Sequence, residues 1–439
     1  MKRKFFVSLL LLLLLTLFIT ACGGTNGNDM NDMGDTGGDT SGDTSGDAMP
    51  KEVTLVIGYT QSLSGKYETS SGKQFNAFKL WLEDVNEAGG VVLSDGTVVK
   101  FDTVSYDDES STDRVQELYT RLATEDNADM LISPYSSGLT KVAAPIAEQY
   151  GKVLIAVGAA SDSIFQQGYT QIYQIYTPAS RYLVGAVDLL QATDPDVKKV
   201  SIVYENDQFA IDVATVAKSY AESLGFEIVQ FEGYDSDTAD FGPFINKIEE
   251  SGAEAIIGGG HLQDGSTFAR QLYEKGTDLK FFALVVAPPE PEFGELGDAA
   301  LGVVGPTHWE PLANITEESS AGFTWLGPDG SDFVADYQAA YEADPSYHAA
   351  GGYAAGLVLQ QAIIEADSTD PAAISAAMEN LDLMTFWGYV KFDTTAESHG
   401  LQLGHSSMYI QWQLDGDTLV KQVVWPLGGA TADLLFPIR

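Results

Sequence analysis

Ser133-Pro-Tyr-Ser-Ser-Gly-Leu-Thr140 is the stretch on which the reading of this chain turns. The apolar run 128–132 before it reads as the end of a buried strand, and 140–150 after it carries the apolar spacing of a helix. Strand, short loop of small polar residues, then helix: that order puts the loop at the carboxyl end of a strand, where an open α/β sheet gathers its ligands. Ser136 and Ser137 bring two hydroxyls to a helix start, whose unpaired N–H groups carry about half a positive charge. Two readings stand. The serines only cap the helix, or they seat an anion, most simply a carboxylate.

Upstream, 52–58 is a strand ending at Gly58, followed by a polar loop over 59–71 and by Phe75, Phe78, Leu82 and Val85 at helical spacing, with Gly89-Gly90 as the stop. Ser94-Asp95-Gly96 marks a hairpin turn, 100–106 a strand and 113–124 a helix. Downstream, the buried strand 153–157 runs into Gly158-Ala-Ala-Ser-Asp162. The same alternation restarts after 172–176 with helix 180–191, strand 199–204, a loop at Asn206-Asp-Gln-Phe209 and a helix that stops at Gly225. Strand 227–231, helix 240–251, strand 255–257 into Gly258-Gly-Gly-His261, helix 266–275 and the apolar run 281–286 complete it. Short apolar strands alternating with helices of this length give a parallel sheet covered on both faces, here twice over. Beyond Gly305 come helices at 332–341 and 347–366, another opened by Asp370-Pro371, and a hairpin around Asp415-Gly416.

The ends and the composition bound the function. Lys2, Arg3 and Lys4 followed by the apolar run 5–19 make residues 1–21 a secretory signal, too short for a membrane span. Ile19-Thr20-Ala21-Cys22 resembles the bacterial lipobox, which implies a lipid on Cys22. Cys22 is the only cysteine, so no disulfide forms within the chain. Residues 22–50 hold almost nothing large and apolar to bury and read as a flexible tether. Their aspartates lack the loop pattern and closing Glu of a calcium site. A net charge of −40 makes nucleic acid and anionic membrane surfaces poor partners. The motifs Gly-x-Ser-x-Gly, Gly-x-x-x-x-Gly-Lys-Ser/Thr and His-Glu-x-x-His do not occur, so no enzyme is expected. Histidines 261, 308, 348, 399 and 405 show no metal-ligand spacing, and neither a metal nor a cofactor is expected. His261, which ends a strand beside three glycines, is the exception to watch.

Ile57-Gly-Tyr-Thr-Gln-Ser-Leu-Ser-Gly65, Asp84-Val-Asn-Glu-Ala-Gly-Gly90, Tyr106-Asp-Asp108, Tyr135-Ser-Ser-Gly138 and Gly351-Gly-Tyr-Ala-Ala355, in this order, resemble the branched-chain amino acid type of ABC-transporter substrate-binding proteins over nearly all of 52–425. The resemblance implies the type I periplasmic binding protein fold: two doubly wound α/β lobes with parallel sheets, joined by a three-crossover hinge. Lobe 1 would be 51–176 plus 306–404, and lobe 2 would be 177–305 plus 405–439. It further implies an extracytoplasmic, lipid-anchored monomer that passes a small molecule to separate ABC permease subunits. Carried over residue by residue, the family's serine loop falls on Ser136 and Ser137, and its Ala-Thr loop on Ala159, Ala160 and Ser161. A tyrosine of the second lobe falls on Phe209 and a further aromatic on His261. The acid that meets an amino acid's ammonium falls on Ala287, or on Glu290 if the loop is shifted. Tyr67 and Trp309 offer further apolar surface. The expected ligand is a branched-chain or other neutral amino acid. The alternatives are an amine-free carboxylate such as an aromatic or short-chain acid, a neutral amide, or a role as a ligand-sensing ectodomain.

Overall fold

In the computed structural model, which describes residues 51–438, the chain builds a first sheet around its longest strand. The signal segment, Cys22 and the tether lie outside the described residues. β1 (Glu52–Gln61) leads into α1 (Glu68–Glu87), then β2 (Val91–Val92), β3 (Val98–Asp107), α2 (Thr112–Thr124), β4 (Met130–Ile132), α3 (Ser137–Gln149), β5 (Leu154–Ala156), the single turn α4 (Asp162–Phe165) and β6 (Ile172–Gln174). The strand order is β2-β3-β1-β4-β5-β6, parallel except where β2 pairs with β3. Every residue of β4, β5 and β6 is buried, and all but Gln174 are apolar, as strands covered on both faces require.

α5 (Val184–Thr193) leads to a second sheet, formed from β7 (Lys199–Glu205), α6 (Gln208–Ser223), β8 (Glu227–Tyr234), α7 (Gly242–Ser251), β9 (Ala255–Gly259), α8 (Leu262–Lys275), β10 (Phe281–Leu284) and β11 (Val304–Thr307). The chain then makes α9 (Gly330–Tyr341), α10 (Tyr347–Ala366), α11 (Pro371–Glu379) and the ribbon β12 (Asp382–Thr385) and β13 (Gly388–Lys391). It ends in the antiparallel hairpin β14 (Met408–Asp415) and β15 (Thr418–Trp425). That hairpin adds to β11, giving the order β15-β14-β11-β10-β9-β7-β8. β11 therefore runs across the 305/306 boundary suggested by the resemblance.

Between the two visits to the second sheet, the chain returns to cover the first. α10 is buried almost all round and lies against α1. Tyr353 donates its hydroxyl to Asp84 at 2.7 Å, and the Trp81 indole N–H donates to Gln360 at 3.1 Å. Glycine is what permits the approach: a Cβ at Gly352 would stand 1.9 Å from the Gln74 carbonyl oxygen, and one at Gly356 2.0 Å from the Trp81 ring. Further on, Gly400 accepts the Gln174 N–H at 2.8 Å, fastening the returning chain to β6.

Helix starts depart from the sequence reading where side chains cap them. α3 begins at Ser137 rather than 140 because the Ser136 hydroxyl accepts the Leu139 N–H. α8 begins at Leu262 rather than 266 because the Asp264 carboxylate accepts the His261 N–H at 2.9 Å. The helix expected at 180–191 is a 3-10 turn, Ala179–Arg181, followed by α5. No described helix is long and apolar enough to cross a membrane.

Candidate functional site

Residues beyond the carboxyl ends of β4, β5 and β6 on one side and of β7, β9 and β10 on the other enclose a single small cavity, together with the start of α10. Tyr135, Ser136, Ser137, Gly158, Ala160 and Tyr176 line it from the first side, Tyr182, Phe209, His261 and Val286 from the second, and Tyr347 and His348 from α10. It encloses about 10 Å³, on the order of one water.

The serine loop provides its polar floor. Ser136 is held at φ 94, a region that side-chain-bearing residues rarely adopt and that costs roughly 1–3 kcal/mol. Its N–H donates to Gly158 at 3.2 Å, and its hydroxyl takes the Leu139 N–H at 3.3 Å. Ser137 is more constrained. Its hydroxyl oxygen accepts the N–H groups of both Ala160 and Ser161, each at 3.1 Å. A serine hydroxyl has two acceptor lone pairs and one proton, so the proton alone remains to be given. The walls are aromatic: Tyr182 meets Phe209 edge-on at 5.0 Å, and Phe209 meets His261 at 5.8 Å. The buried Tyr176 hydroxyl has no hydrogen-bond partner among the described residues.

Ionic groups surround the cavity, and of them only His348 and His261 line it. Glu290, fully buried, accepts from Lys73 Nζ at 2.6 Å and pairs with His348 Nδ1 at 2.6 Å; His348 Nε2 lies 3.0 Å from the Tyr135 hydroxyl. Burial alone would raise the Glu290 carboxyl, but the Lys73 ammonium and the His348 ring outweigh it and hold it well below the usual range. Lys66 Nζ binds Glu205 at 2.5 Å and lies 4.7 Å from the Tyr67 ring centre. Asp207 is raised, by burial first and the Glu205 charge second. His261 is pushed down to about 4 because burial outweighs the attraction of Glu205.

Of the residues singled out in the sequence, Ser136, Ser137, Ala160, Phe209 and His261 meet at the cavity. Tyr67 stands behind, 5.1 Å from the His261 ring and 5.5 Å from that of Tyr135. Ala159 is buried beneath it. The other three lie elsewhere. The Ser161 hydroxyl donates to Asp212 on α6 and sits 2.9 Å from Ser163, so it ties the two sides together. Both Glu290 oxygens are taken by Lys73 and His348, so the carboxylate turns inward to a bridge instead of to the cavity. Trp309 packs against Phe333 and Phe386 in the core. Tyr176, Tyr182, Tyr347 and His348 escaped the sequence reading. They come from three segments that look like ordinary core, and nothing local in the sequence marks them as lining residues.

A family model described as periplasmic binding protein matches residues 54–417. Leu/Ile/Val-binding protein homolog 7 of Brucella suis biovar 1 (strain 1330) is 24% identical over 402 residues, covering 89% of this chain and 96% of that protein. Among solved structures, the branched-chain amino acid transporter substrate binding protein LivJ from Streptococcus pneumoniae, in complex with isoleucine, superposes with a TM-score of 0.70 at 19% identity, over 85% of this chain and 99% of that one. A solute binding protein of an ABC transporter from R. palustris, in complex with 4-hydroxybenzoate, does so with a TM-score of 0.71 at 19% identity, over 87% and 98%. At these identities the two structures speak to the fold alone.

Proposed function

Because the chain belongs to the periplasmic binding protein family and carries its type I fold, we propose that the aromatic-walled cavity binds an amine-free carboxylate with an aromatic or branched apolar body, for delivery to an ABC permease. Proteins of this family bind small molecules outside the cytoplasm and hand them to such permeases. The observation that carries the reading is the Ser137 hydroxyl: with both acceptor positions filled by backbone N–H groups, it can only donate, and a carboxylate oxygen is the acceptor it suits. The tyrosines and Phe209 supply apolar surface, and Tyr176 has a hydroxyl to spare. None of the lining residues is an acid. A buried ammonium without an acceptor is costly, and no carboxylate lines the cavity itself to serve as one.

In this reading 51–176 with 306–404 and 177–305 with 405–439 act as lobes that part to admit the ligand, since about 10 Å³ is far too little for a solute much larger than water. A lipid on Cys22 would tether the protein to the membrane. A second reading, a branched-chain amino acid, is favoured by the Leu/Ile/Val-binding relatives and the isoleucine complex. It needs an acceptor for the ammonium: Glu290 is already doubly paired, which leaves the unpartnered oxygens of Glu205 and Asp207 behind His261 as the acceptors it would have to use.

Calorimetry with leucine, its 2-keto acid, benzoate and leucinamide decides between them. The keto acid or benzoate should bind at least about tenfold tighter than leucine, a difference of roughly 1.4 kcal/mol. Leucine binding tightest would establish the second reading, and leucinamide matching the acids would remove the carboxylate from the argument.

A further inference from the structure

Three side chains at the loops of the second sheet converge beside the cavity, although the sequence separates them into two segments. Glu205 ends β7, Asp207 caps α6 and His261 precedes α8. In each acid one oxygen is already anchored. Glu205 Oε1 accepts from Lys66 at 2.5 Å, and Asp207 Oδ1 accepts the Ala210 N–H at 2.7 Å. The other oxygens, Glu205 Oε2 and Asp207 Oδ2, have no hydrogen-bond partner among the described residues, and neither does either ring nitrogen of His261. The His261 side chain is only 7% exposed and that of Glu205 1%. His261 Nε2 stands 3.3 Å from Asp207 Oδ2, and Nδ1 stands 3.8 Å from Glu205 Oε2. One donor atom from each of the three lies within 4.8 Å of the others.

Hydrogen bonding inside the cluster does not account for this. A neutral imidazole has one N–H, so it could serve one carboxylate at most, and even the shorter approach lacks hydrogen-bond geometry. The ring also lies over the start of α8 in the manner of a capping residue, yet no ring nitrogen reaches bonding geometry there. Lys66 offsets one of the two carboxylate charges and leaves the other. An ion does better: two donors each 2.0–2.1 Å from a tetrahedral ion stand about 3.3 Å apart, the separation of His261 Nε2 and Asp207 Oδ2. Anchoring the second oxygen of each acid is also what fixes ligating carboxylates in metal sites.

We propose that Glu205, Asp207 and His261 form a binding site for one divalent transition-metal ion, of the class that accepts imidazole with carboxylate. Three protein donors leave room for a further ligand in the ion's shell, and His261 is shared with the cavity. Mixed nitrogen and oxygen donors suit zinc and its neighbours better than calcium or magnesium, which favour oxygen alone.

The test needs no solute, so it is independent of which ligand the cavity takes. The full chain, stripped with a chelator, is titrated calorimetrically with zinc chloride and its bound metal counted by elemental analysis. One zinc per chain is expected. His261→Ala and Asp207→Asn should each weaken binding by more than the roughly 10- to 100-fold that loss of an outer partner costs. Asparagine caps a helix as well as aspartate does, so Asp207→Asn keeps α6 intact and isolates the lost ligand. Zinc should also raise the melting temperature of the wild type and not of the variants. No stoichiometric zinc in the wild type, or zinc held undiminished by both variants, overturns the proposal. So does a wild type that ignores zinc while Asp207→Asn abolishes leucine binding, which would assign the unpaired oxygens to a solute ammonium.

Discussion

The Ser137 hydroxyl does two things at once, and its replacement separates them. As acceptor it satisfies the buried N–H groups of Ala160 and Ser161, and stranding such groups costs roughly 1–3 kcal/mol. As donor to the proposed carboxylate in the cavity it lines, it would make a bond whose loss costs roughly 1.5–3 kcal/mol, or about ten- to a hundredfold in affinity. Ser137→Ala should therefore lower both the unfolding free energy of the unliganded protein and the affinity for the carboxylate proposed above, read by denaturant titration and calorimetry. Loss of stability with unchanged affinity would reduce the serine to a brace for the loop 158–161. The loop was legible because a strand, two serines and a helix are neighbours in sequence. Glu290 was visible only as a residue. Its partners Lys73 and His348 lie on other elements, far away in the chain, and nothing local says that an acid after two prolines is spoken for. His261 was singled out alone, and its convergence with Glu205 and Asp207 escaped for the same reason: metal-ligand spacing is a local signal, and this cluster is assembled by β7 and β9 lying side by side.

At the scale of elements, α10 shows how composition can carry packing. Its run of Ala and Gly permits close approach, and α1 is the neighbour that takes it. The glycines give a prediction in which two effects compete. Helix propensity alone would make Gly352→Ala stabilising by about 1 kcal/mol. The new Cβ would stand 1.9 Å from the Gln74 carbonyl, however, so α1 and α10 must part, and overpacking of this kind typically costs about 1–3 kcal/mol. A lower melting temperature is expected, and an unchanged or higher one would show that the two helices are not in contact there. Helix ends were read less well than helix existence. The start of α8 depends on Asp264 reaching back to the His261 N–H, and that start was placed four residues late because the apolar repeat begins after the cap does.

For the whole molecule, the two sheets are tied across the cavity by Lys66 with Glu205, Lys73 with Glu290 and Glu292, and Lys141 with Gln208. Glu290 makes this link pH-dependent. Its carboxyl is held below the usual range by Lys73 and His348 and would return toward about 4.3 wherever that bridge is broken. A depressed value means that the link contributes fully above the ordinary value and is lost as pH falls below it. Acidification from about pH 5 to 3 should enlarge the particle in solution scattering, and Glu290→Gln should flatten that response; equal expansion of wild type and variant would place the acid sensitivity elsewhere. The path of the chain has a consequence for how the protein is made. Phe75, Phe78 and Trp81 lie in α1 near the beginning, but the helix that covers them begins at Tyr347, and the strap that fastens β6 ends near Gln402. Until roughly the last fifth of the chain has been synthesised, the first sheet has an open apolar flank. The first half therefore cannot close its own apolar face from residues of its own, and waits for those beyond 346 to do so.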